Sequence, residues 1–168
     1  SATTPTAAGA RACSAPADPG GMGVMPQRGQ FLRRPDPAEL DALSVGTAIE
    51  RLGIVFTEVG DDYLRATMPV DARTVQPYGL LHGGASVLLA ETLGSSAGNL
   101  CVPEGQRVVG IEINANHVQA ATGGLVTGTA RALHVGRRTQ VWEIRIEDAQ
   151  GRLVCVSRLT LAVVGATA

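Results

Sequence analysis

The feature that most constrains the fold is the stretch from Gly83 to Leu100, GGASVLLAETLGSSAGNL. A histidine, two glycines and then an apolar run predict one long helix that starts at Gly83. From Ala85 to Ala90 this helix is apolar on nearly every side except Ser86, so it needs burial over more than a single stripe. Yet Glu91 interrupts it. The residues three and four positions away are Val87, Leu88, Gly94 and Ser95, and no Lys or Arg occurs between Arg73 and Arg107. Burial without a partner raises a carboxylate's pKa or costs several kcal/mol, so Glu91 is either solvated or held for a purpose.

What surrounds the helix is legible from changes of period. Pro37 reads as a first-turn residue, followed by Glu39, Leu40 and Leu43 at helical spacing, and a second short helix near Val45 to Leu52 ends at Gly53. Ile54 to Val59 and Tyr63 to Pro69 read as strands joined by Gly60-Asp61-Asp62. After Pro103-Glu104-Gly105 the pattern alternates. In Arg107 to Val118 one face collects Val109, Ile111, Ile113, Ala115 and His117, and the other Glu112, Asn114 and Asn116. Strands follow over Leu125 to Val135, around Trp142, Ile144 and Ile146, and from Leu153 to Val163, with turns at Gly136-Arg137-Arg138 and Asp148 to Gly151. The reading is an α+β fold in which a curved antiparallel sheet wraps one long central helix.

Residues 37–168 suffice for one domain, and 45% hydrophobic residues supply a core that must be aliphatic because aromatics are only 3%. Residues 1–36, rich in Ala, Gly and Pro, read as a flexible tail whose Met22 and Met25 leave the natural start open. A net charge of −1 and scarce aromatics argue against nucleic acid as a partner. No apolar run is long enough for a membrane span, and no secretory h-region is evident. Cys13, Cys101 and Cys155 are widely spaced and odd in number, which suggests reduced thiols and a cytoplasmic protein rather than disulfides or a metal knuckle.

At the helix start, the amides of Gly83, Gly84 and Ala85 are helix-terminal donors backed by the macrodipole. Glycine lets a carbonyl oxygen approach them closely, which is the geometry of an oxyanion site. Ser95, one turn beyond Glu91, can bond the carboxylate or a water. Ser86 lacks the second glycine of a nucleophile elbow, His82, His117 and His134 are too dispersed for a metal, and no HExxH or Walker loop is present. A carboxylate together with an anion-stabilising helix end fits acyl transfer to water.

The segments QPYGLLHGGASVLLAETLGSSAG, VVGIEINANHV, ALHVGRR, VWEI and GRLVCVSRL resemble the hotdog-fold acyl-CoA thioesterases of the phenylacetate-degradation (PaaI-like) group. Within that group they are most like the branch of the enterobactin proofreading and 1,4-dihydroxy-2-naphthoyl-CoA thioesterases. The resemblance runs from about Val45 to Val164. It implies that Glu91 acts as nucleophile or general base, that the Gly83 N–H polarises the thioester carbonyl, that Gln76 and His82 orient substrate, and that Ser95 positions water or the carboxylate. His117 would line the acyl and pantetheine tunnel. Arg137 and Arg138, in an exposed turn, are candidates for the phosphates of coenzyme A, which is part of the substrate; no cofactor is implied. The family pairs two protomers through their sheets, commonly with two dimers in a tetramer, and builds each site from both subunits. Val118 stands where enterobactin-type members have a second histidine, and Ser96 where some relatives are larger, so the acyl preference is open. Two other functions share the fold: hydration or dehydration of enoyl thioesters, and acyl-CoA binding without catalysis.

Overall fold

The computed structural model describes residues 30–165. Most of the expected tail, with Cys13, Met22 and Met25, lies outside the described residues. In chain order the elements are α1 (Pro37–Leu43), α2 (Ala48–Arg51), β1 (Val55–Val59), β2 (Tyr63–Pro69), α3 (Gly83–Leu100), β3 (Gln106–His117), β4 (Leu125–Val135), β5 (Thr139–Asp148) and β6 (Leu153–Gly165). The strands form one six-stranded antiparallel sheet in the order β1-β2-β4-β5-β6-β3, with α3 packed against β2 to β6. The expected architecture is therefore present.

Small residues let α3 lie close to the sheet. A β-carbon on Gly94 would stand 2.5 Å from Leu159 Cδ2, and one on Gly98 2.6 Å from Leu161 Cδ1. Ala90 and Ala97 are fully buried on the same side. Ser86 also turns inward, only 1% exposed, while Val87 and Leu88 are half-buried; the polar residue does not mark the open side of the helix. The buried Gln140 is satisfied twice: its Oε1 accepts from Trp142 Nε1 at 2.9 Å and its Nε2 donates to Gly98 O at 3.3 Å.

The expected tail boundary at residue 36 falls too late for the packing. Phe31 is 6% exposed and stacks on Trp142 with ring centroids 6.4 Å apart. Beside it, Leu32 N–H donates to Leu100 O at 2.8 Å and the Arg33 guanidinium to Asn99 O at 3.1 Å. The segment thus satisfies carbonyls that the C-terminus of α3 leaves open, with a cation at its negative end.

The expected faces of β3 also need correction. Val109 and Ile111 are not on the helix side: they are 43% and 63% exposed, whereas Val108 is buried. The pairing with β6 shifts between Gly110 and Glu112. Val108 and Gly110 pair with Val163 and Leu161; beyond the shift, Ile113, Ala115 and His117 pair with Leu159, Ser157 and Cys155. The extra residue, Ile111, moves the inward set from even to odd positions.

Candidate active site

The loop before α3 is fixed by its own backbone. Gln76 N–H donates to Leu80 O at 2.8 Å, and Gly79, with φ of 75°, takes the left-handed turn that suits glycine. The Gln76 side-chain oxygen accepts from Tyr78 N–H at 2.7 Å, which leaves the carboxamide NH2 without an acceptor among the described residues. Next, His82 N–H donates to Thr74 O at 2.8 Å, and the Thr74 hydroxyl, 1% exposed with its residue, donates to Pro69 O at 2.6 Å.

His82 is the N-cap of α3. Its Nδ1 accepts from Gly84 N–H at 2.8 Å, so a neutral ring carries its proton on Nε2. The His82 carbonyl accepts from Ala85 N–H at 3.0 Å and Ser86 N–H at 3.2 Å. Of the three amides expected to be free, Gly84 and Ala85 are therefore occupied, and only Gly83 N–H has no acceptor among the described residues. The end of β3 arrives here as well: a β-carbon on Gly83 would lie 2.8 Å from His117 Nε2. Gly83, His82 and His117 thus meet at one end of the helix.

Glu91 lies further along. It lines an open groove of about 400 Å³ with Gly84, Val87, Leu88, Thr92 and Ser95. Its half-buried carboxylate makes no hydrogen bond or ion pair among the described residues. The Ser95 turn is held by Asn99 Nδ2, which donates to Ser95 O at 3.0 Å. On the sheet side Glu91 faces Gly110, where a β-carbon would stand 2.6 Å from Glu91 Oε1. Sequence reasoning passed over Gly110, although an isolated glycine inside a strand is the ordinary sign of a bulge or a close approach.

Arg137 and Arg138 do not join this group. They are exposed in the β4–β5 turn, where Arg138 O accepts from Val163 N–H at 2.9 Å. Arg137 borders a hollow of about 380 Å³ with Leu32, Cys101 and Gln106, beside the C-terminus of α3. An 18-residue helix spans about 27 Å, so these arginines lie most of that length from Gly83. Burial pushes the Cys101 thiol up to about 11, and the Cys155 thiol is also raised by burial despite its contact with Ser157. Among the described residues no three His, Cys, Asp or Glu side chains gather as a metal site requires.

A helix sheathed by an antiparallel sheet carries an amide at its start and a carboxylate two turns on that have no partner among the described residues, the kinds of group that acyl chemistry uses. Comparison with known proteins specifies the class. The profile of the thioesterase superfamily matches residues 78–155. The proofreading thioesterase EntH of Cronobacter sakazakii is 60% identical over 126 residues, covering 75% of this chain and 92% of that protein. The 1,4-dihydroxy-2-naphthoyl-CoA hydrolase of Escherichia coli is 58% identical over 124 residues, covering 74% and 91%. A crystal structure of a thioesterase from Haemophilus influenzae superposes with a TM-score of 0.81 at 47% identity, covering 83% of this chain and 97% of that one. The chain belongs to the thioesterase superfamily; it has the hotdog fold and is an enzyme of the thioester hydrolase class.

Proposed function

We propose that this enzyme hydrolyses the thioester of an acyl- or aroyl-CoA, or of the same acyl group on a carrier protein, at a site shared between two subunits. In the general-base form, water attacks the carbonyl carbon and gives its proton to Glu91. The tetrahedral oxyanion forms at the Gly83 N–H, with the positive end of α3 behind it. Collapse breaks the C–S bond, and the departing thiolate takes the proton from Glu91. In the nucleophilic form Glu91 itself attacks the carbonyl carbon and the C–S bond breaks to expel the thiolate. Water then cleaves the resulting mixed anhydride, releasing the acid, restoring the Glu91 carboxylate and supplying the proton that the thiolate takes up. Ser95 positions the water or the carboxylate. The Gln76 carboxamide and His82 Nε2–H donate toward the thioester, and His117 flanks Gly83 on the substrate's path. Arg137 and Arg138 offer charge to the phosphates of coenzyme A, which enters as substrate; the reaction needs no further cofactor.

The observation that carries this reading is a separation. Gly83 and Glu91 are eight residues apart on one helix, about 12 Å along its axis, too far for both to act on one carbonyl. Each therefore needs a counterpart from another copy. The outer edge of β3 has no strand beside it among the described residues, and it exposes Val109 and Ile111, which supports pairing of two sheets there. A homodimer is then the minimal active unit, two of which can associate as a tetramer. The free thiols of Cys101 and Cys155 are in keeping with work in the cytoplasm.

The test is thiol release from a panel of acyl- and aroyl-CoAs by the wild type and Glu91→Gln. A loss of about 10²-fold or more is expected on removing the base or nucleophile. Full activity in the variant contradicts the mechanism. Hydration of a crotonyl thioester without thiol release would favour a hydratase, and tight binding without turnover a binding protein.

A further inference from the structure

Among the described residues Glu91 has no hydrogen-bonding partner, and the strand residue whose missing side chain leaves room for its carboxylate is a glycine. We infer that Gly110 and the bulge beside it are the device that positions the catalytic carboxylate; this rests on the role proposed for Glu91. A β-carbon on Gly110 would stand 2.6 Å from Glu91 Oε1, closer than real β-carbons approach another heavy atom. The next neighbours are farther: Glu91 Cδ at 3.7 Å and Leu159 Cδ1 at 4.0 Å. The space left by the missing side chain is thus filled by one carboxylate oxygen and by little else.

The bulge explains how that space comes to face the helix. Side chains of a regular strand alternate between faces, so an even-numbered and an odd-numbered residue cannot share one. Gly110 must face α3 to receive Glu91, and His117 must face it to reach Gly83. Both do, because Ile111 is inserted between them and the register with β6 shifts between Gly110 and Glu112. Without the insertion, turning Gly110 inward would bring Glu112, Asn114 and Asn116 in and send Ile113, Ala115 and His117 out. One inserted residue therefore serves both the carboxylate and the helix start. Because the bulge lies on the outer strand of the sheet, whatever pairs with β3 also bears on the seat of Glu91.

Gly110 is a positioning residue, and its substitution separates that role from a structural one. Its φ is not positive, so alanine fits the backbone, and only a carboxylate oxygen stands in its way. Gly110→Ala should keep the wild-type melting temperature and oligomeric state, with KM little changed and kcat reduced about 10- to 100-fold, the scale of an ångström's misplacement. In the Glu91→Gln background the same substitution should cost less than about threefold, since the group it displaces no longer acts. Wild-type kcat in Gly110→Ala, or equal losses in both backgrounds, overturns the inference. So does loss of folding, because a positioning role leaves nothing but the carboxylate to be displaced. If Glu91→Gln is itself fully active, the proposed mechanism fails; if it is inactive while Gly110→Ala is not, only the seat fails.

Discussion

Gly83 and Glu91 share a helix but stand about 12 Å apart along it, while each meets a different residue of β3. Gly83 lies against His117, and Glu91 lies over Gly110. In the proposed mechanism the helix thus presents a donor and a carboxylate as two half-sites of one chain. This explains how an apolar helix keeps an acid that has no cationic partner among the described residues: the carboxylate faces a groove rather than the core.

His82 combines two tasks that substitution can separate. Its Nδ1 caps Gly84 N–H, and its Nε2–H is directed to substrate in the proposed mechanism. His82→Ala should lower stability by about 1 kcal/mol in denaturant titrations, the usual value of an N-cap, and also reduce activity. His82→Asn restores a good cap. It should recover the stability and leave the activity low, and full activity in His82→Asn would confine His82 to capping.

Phe31 tests where the packed domain begins. Its ring is buried against Trp142, so Phe31→Ala should destabilise the protein by about 3 kcal/mol, the lower end for such a truncation because a segment outside the helices and strands can relax. A truncated protein that starts at Asp36 should lose as much and also leave Leu100 O uncapped. Unchanged melting temperatures in both would return the boundary to residue 36.

Much of this architecture was readable because period is a local property. The long helix, the hairpin at Gly60, the period-two strands and the turn at Gly136 follow from spacing alone. Two of the misreadings depend on a contact distant in sequence, and the third on a local cap geometry that spacing does not show. Phe31 looks like tail until Trp142 is placed beside it. Val109 and Ile111 look inward-facing until the register with β6 shows the inserted residue. The amides of Gly84 and Ala85 look free until His82 folds back as a cap. Glu91, Gly83, Ser95 and His117 stand out as candidates in the sequence, but their division into two clusters, with Arg137 and Arg138 far off, is visible only once the helix is laid on its sheet.

Cys101 gives a prediction in pH. Burial pushes its thiol up to about 11, against 9.0 for the ordinary group. Above pH 9 the unfolded chain loses this proton while the folded chain holds it. The thiol's contribution to stability is therefore complete below pH 9 and is lost as pH rises through 11. At pH 8 the thiolate, which is the reactive species, is scarce in the folded state. Peptide mass analysis after brief iodoacetamide treatment at pH 8 should find Cys101 unmodified in the native protein and alkylated in urea. Equal labelling in both would show that the thiol is not protected.

The central claim is that each active site takes its carboxylate from one subunit and its donors from the other. Co-expression of Glu91→Gln and Gln76→Ala chains with different tags, followed by purification through both tags, yields mixed dimers. In these, one site carries both substitutions and the other carries neither. If the site is shared, each parent is nearly inactive and the mixed dimer regains about half the wild-type kcat, one intact site of two, by the symmetry of a twofold interface. Mixed dimers no more active than their parents would place Gln76 and Glu91 in the same subunit's site and contradict the account.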